Sequence, residues 1–123
     1  MKRILILEDD EQFQKLLSTI LKGEGYEVEA VSDGKQGLKF LTDNKFDLLM
    51  IDVFMPEIDG IGVLRKIRNE RHGMKIISMS GGGRGTLPGE ALNVTEALGV
   101  DKSIQKPFTR KEILPLVQEL IGE

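Results

Sequence analysis

Five short apolar runs, each parted from the next by a stretch of helical periodicity, constrain what this chain can fold into more than any other feature. They fall at residues 4–7, 28–31, 46–51 and 75–79, with a weaker one at 103–105. A run such as Asp47-Leu48-Leu49-Met50-Ile51 is apolar on both faces, as a strand must be when helices cover both sides of a parallel sheet. Between the runs, Phe13, Leu16, Leu17, Ile20 and Leu21 recur at helical spacing, as do Leu38 with Leu41, and Ile61 with Leu64 and Ile67. These stripes are expected in the core. Strands and helices in strict turn predict an α/β domain built on one parallel sheet. The punctuation agrees: Gly23 and Gly25 close the first helix, Gly60 precedes the third, and Thr109 with Glu112 forms a capping box for the last, which Pro115 is expected to bend. Residues 81–89 are rich in glycine and read as a loop.

At 123 residues there is room for one domain, and 40% hydrophobic content is enough for its core. Basic and acidic residues number 17 and 20, for a net charge of -3, and no run of lysine and arginine offers a nucleic-acid footprint. Direct nucleic-acid contact is therefore not expected. With no cysteine there can be neither a disulfide framework nor a thiolate zinc site, which suits a reducing compartment. The apolar run after Met1-Lys2-Arg3 is far too short to span a membrane and meets acid at once, so it reads as a buried strand of a cytoplasmic protein.

Ligands of open parallel α/β sheets sit beyond the carboxyl ends of the strands. There the first strand runs into Glu8-Asp9-Asp10, the third into Asp52, the fourth into Ser80 and the fifth into Lys106-Pro107-Phe108. Carboxylates converging on one rim repel each other and stay ionised together only if a cation shares them. Oxygen ligands from few side chains, with positions open to water and phosphate, favour magnesium over a closed calcium cage. Lys106 adds a mobile positive charge and Ser80 a hydroxyl donor beside Asp52.

Taken together, Glu8-Asp9, Asp52 followed by Met55-Pro56 and Asp59-Gly60, Ser80, and Lys106-Pro107-Phe108 resemble a response-regulator receiver domain over essentially the whole chain. The resemblance implies a doubly wound, flavodoxin-like three-layer α/β/α fold. Its sheet would have five parallel strands in the order 2-1-3-4-5, with five helices. It implies transfer of a phosphoryl group to Asp52 from a sensor histidine kinase or histidine phosphotransfer protein, with Mg2+ as cofactor. Asp9 and Asp52 would bind the metal directly, Glu8 through water, and Phe54 through its backbone carbonyl. Ser80 and Lys106 would contact the phosphoryl group. Such a domain is a phospho-acceptor that assists its own phosphorylation and dephosphorylation, not an enzyme in the usual sense, and it signals to a downstream protein target through altered contacts. Because the chain ends at Glu123, soon after the expected fifth helix, no output domain is expected.

Two positions depart from the family pattern: Ser103 stands where an aromatic is usual, and Gly81 where a small alanine is usual. Both bear on signal output more than on phosphate chemistry. The rival reading is a flavodoxin-like nucleotide- or flavin-binding module or a small magnesium-dependent phosphotransfer enzyme. Neither G-x-G-x-x-G nor G-x-x-x-x-G-K-[ST] occurs, however, and a ring of carboxylates repels phosphate unless metal intervenes. Asp10 reads as the cap of the first helix, Asp33 and Asp101 as turn or capping acids, and His72, the only histidine, as a loop residue without a role.

Overall fold

The computed structural model describes residues 1–52, 60–67, 73–81 and 99–122. Its strands are β1 (Arg3–Leu7), β2 (Glu27–Val31), β3 (Leu48–Asp52), β4 (Lys75–Gly81) and β5 (Lys102–Lys106). They form one sheet in the order β2-β1-β3-β4-β5, and every neighbouring pair is parallel. The described helices are α1 (Glu11–Gly23), α2 (Gly34–Asp43), α3 (Gly60–Ile67) and α4 (Arg110–Ile121). The helix expected between β4 and β5, with most of the glycine-rich stretch, lies outside the described residues, as do Phe54, Met55, Pro56, Asp59 and His72.

Alternation along the strands divides the core in two. Leu5, Leu7, Leu49, Ile51 and Ile76 face α2 and α3, where Val63, Leu64 and Ile67 meet them. Ile4, Ile6, Leu48, Met50, Ile77 and Met79 face α1 and α4, packing with Leu17, Leu21, Ile113, Val117 and Ile121. All five residues of β3 are buried, which explains why its sequence shows no alternation. Truncating a fully buried leucine here, such as Leu49, costs roughly 2–5 kcal/mol.

Local chemistry fixes where each element begins and ends. Asp10 caps α1, its side chain accepting from the Phe13 N–H at 3.1 Å, and Asp33 caps α2 through the Gln36 N–H at 2.8 Å. Thr109 and Glu112 make the reciprocal capping box of α4, and Pro115 sits inside that helix without ending it. Gly25, at φ 92°, turns the chain out of α1 where a side chain would be strained. Gly37 lets α2 press onto the sheet, since a Cβ there would come within 3.1 Å of the Leu7 methyls. Leu16 departs from expectation: it is 55% exposed. At 3.6 residues per turn, Phe13, Leu17 and Leu21 share the face toward the sheet and Leu16 falls outside it. β3 also starts at Leu48, two residues later than its apolar run.

Candidate functional site

Glu8, Asp52 and Lys106 continue the alternation of β1, β3 and β5 on the face shared with α1 and α4, so three strands deliver them to one rim. Glu8 is wholly buried and Asp52 is 4% exposed. The Lys106 ammonium lies between them, with Nζ donating to Glu8 Oε1 at 2.5 Å and to Asp52 Oδ2 at 3.0 Å. The other oxygen of Glu8 accepts from the Asp10 backbone N–H at 3.1 Å. Asp9 is half-buried beside them, and one carboxylate oxygen from each of Glu8, Asp9 and Asp52 lies within 4.8 Å of the others.

The electrostatics follow from burial. Loss of water around Glu8 raises its pKa from 4.5 to about 7; the Asp52 charge adds to the rise, while Lys106 and the Asp10 N–H oppose it. Burial alone would lower the pKa of Lys106, but its two carboxylate partners outweigh that and move it up. The lysine is thus firmly cationic, and its ammonium does not fully offset the desolvation of Glu8.

The structure therefore brings Glu8, Asp9, Asp52 and Lys106 together. Ser80, half-buried on β4, follows Met79, the strand partner of Asp52, and is itself paired with Gln105. Among the described residues no hydrogen bond joins it to the cluster. Asp10 and Asp33 are helix caps, and Asp101 accepts the Ile76 N–H at 2.9 Å. Two contributors escaped the sequence reading. Gln14 donates its amide to the Glu8 and Val31 carbonyls, both at 3.0 Å, tying β1 to β2 beneath the acids. Phe13 puts its ring under Lys106, with Nζ 4.9 Å from the centroid. A polar residue beside an apolar helical stripe was the only sequence signal for Gln14, and the position of Phe13 within that stripe pointed to the core alone.

A doubly wound α/β module with a carboxylate cluster and a bridging lysine at the carboxyl ends of its strands is the class that fold and site define. Residues 4–118 match the family model described as the response regulator receiver domain, and the chain belongs to that family of two-component signalling domains. It is 33% identical over 121 residues to the transcriptional regulatory protein CpxR of Escherichia coli K12, covering 98% of this chain and 50% of that protein. The chain thus spans about half the length of the CpxR relatives it matches. A CheY-like receiver domain protein from Methanospirillum hungatei JF-1 superposes with a TM-score of 0.89 at 32% identity, over 97% of this chain and 92% of that one. The receiver domain of the sensor histidine kinase PA1611 from Pseudomonas aeruginosa PAO1 gives 0.84 at 30% identity, over 99% and 98%; it is described with a magnesium ion coordinated in its active-site cleft. Among the described residues no helix is long and apolar enough to cross a membrane.

Proposed function

We propose that this chain is a phosphorylation-dependent switch in which Asp52 accepts a phosphoryl group from a histidine kinase or histidine phosphotransfer protein, with Mg2+, and passes the signal on through altered contacts with a protein target. The observation that carries this reading is the position of Asp52, nearly buried yet within 4.8 Å of two further carboxylates and in contact with a lysine. A structural acid at a strand end has no use for two like charges beside it.

The donor set fits the metal: three carboxylates supply hard oxygen ligands and leave positions for water and for phosphoryl oxygens. Asp9 and Asp52, with Glu8 beside them, would hold Mg2+, and the chemistry the ion would supply there is positive charge toward the transferring group. An Asp52 carboxylate oxygen attacks phosphorus as the P–N bond to the donor histidine breaks. The electron pair of that bond stays on the imidazole nitrogen, and the product is an acyl phosphate. Lys106 supplies a positive charge to the phosphoryl oxygens and Ser80 a hydroxyl donor on the neighbouring strand. The acyl phosphate carries roughly -1.5 to -2 charge in place of the single charge of the carboxylate, with new acceptor oxygens, which draw donors toward Asp52 and reshape the surface near β4.

Acetyl phosphate with magnesium should add one phosphoryl mass to the protein and none to Asp52→Asn, by mass spectrometry of the intact chain. Equal labelling of the two proteins would remove Asp52 from the chemistry.

A further inference from the structure

We propose that Phe13 is a positioning residue for Lys106, its ring face holding the ammonium at the rim when the carboxylates are engaged elsewhere. The role rests on the phospho-acceptor reading of Asp52. A lysine side chain has four rotatable bonds, and in this structure two carboxylates and one ring fix its end. The carboxylates are the groups a divalent cation and a phosphoryl group would claim. The ring is the contact that neither would take.

The ring is itself well placed. Asp10 fixes the first turn of α1 through the Phe13 N–H at 3.1 Å. Phe108, two residues beyond Lys106, meets Phe13 edge to face with centroids 5.1 Å apart and planes at 87°. That geometry suits two aromatic quadrupoles, and it leaves the negative face of Phe13 turned toward Nζ. Both rings are half-buried against the core under α1 and α4, so the lysine meets a partly dehydrated face, where a cation is held more strongly than at an open surface. A leucine at position 13 would cover the same core but offer no quadrupole. The comparison of leucine with tyrosine therefore isolates the ring.

Two measurements test it on the whole chain. In metal-free protein the Lys106 side-chain methylene protons should show upfield ring-current shifts in the NMR spectrum, kept in Phe13→Tyr and lost in Phe13→Leu. At saturating magnesium, Phe13→Leu should label with acetyl phosphate about three- to fivefold more slowly, with unchanged magnesium affinity, and Phe13→Tyr should restore the rate. Tyrosine as slow as leucine, a leucine variant as fast as wild type, or an equal loss of magnesium affinity would overturn the role. A wild type unlabelled at Asp52 would overturn the phospho-acceptor reading and this role with it. A labelled wild type without the ring-current shift would overturn the role alone.

Discussion

The two ends of the sheet use their acids in opposite ways. At the amino ends of the strands, Asp47 accepts the Arg3 N–H at 2.8 Å and Asp101 accepts the Ile76 N–H at 2.9 Å. The Arg3 guanidinium there lies 4.7 Å from the Phe46 ring centroid and donates to the Lys45 carbonyl. Each of these carboxylates extends the backbone hydrogen bonding of the sheet, and they are not clustered. At the carboxyl ends, Glu8, Asp9 and Asp52 crowd together, and Lys106 bridges two of them. One end completes the sheet; the other holds charge that the fold alone does not need.

Removing one acid from each end should break the comparison if it is wrong. Asp9→Ala should lower magnesium affinity on the order of a hundredfold, measured by titration calorimetry, with little loss of stability, since this side chain is only half-buried. Asp47→Ala should do the reverse: it strands the Arg3 N–H and costs about 1–2 kcal/mol in denaturant unfolding, with magnesium affinity unchanged. Loss of magnesium affinity in Asp47→Ala, or its retention in Asp9→Ala, would put the metal site in the wrong place.

Acidity sharpens the same contrast. Glu8 titrates at about 7 in the folded protein against 4.5 unperturbed, so the fold favours its protonated form. Its contribution to metal-free stability is therefore full below pH 4.5 and is lost as pH rises through 7. Magnesium runs the other way, because the ion favours an ionised cluster: affinity should fall by up to about tenfold per pH unit on acidification below 7. Glu8→Gln should flatten both slopes, read as melting temperature and as magnesium affinity between about pH 5 and 7.5. Slopes that persist in that variant would assign the titration to another group.

Much of this was legible in the sequence, for reasons tied to particular residues. Apolar runs end where the strands end, so Glu8, Asp52 and Lys106 could be placed at strand termini, and parallel strands bring their carboxyl ends to one rim. Caps were legible because their chemistry is local, as at Asp10, Asp33 and Thr109. Long-range contacts were not. No spacing reveals that Phe13 meets the distant Lys106, or that Gln14 clamps Val31. Leu16 misled because an apolar residue next to a helical stripe resembles a member of it. Phe46 extended the third run because it is an apolar core residue, although the ladder starts only at Leu48.

The smallest effect concerns Ser103, which stands where the family places an aromatic and which lies between the two ends of the sheet. Its hydroxyl is 2.7 Å from that of Ser78, which is 3% exposed, and the two residues are register partners on β5 and β4. By this geometry Ser103 belongs with the acids of the amino end: it satisfies a buried polar group of the sheet. Ser103→Ala should leave the Ser78 hydroxyl unpaired and cost about 1 kcal/mol. Removing both hydroxyls takes away donor and acceptor together, so Ser78→Ala with Ser103→Ala should regain part of that loss. A double-mutant cycle by urea unfolding reads the coupling, and acetyl phosphate labelling of the same proteins should be unchanged throughout. If Ser103→Ala left stability intact but altered labelling of Asp52, this hydroxyl pair would belong to the phosphorylation site, and the division between the two ends would have to move down β4 to include Ser78.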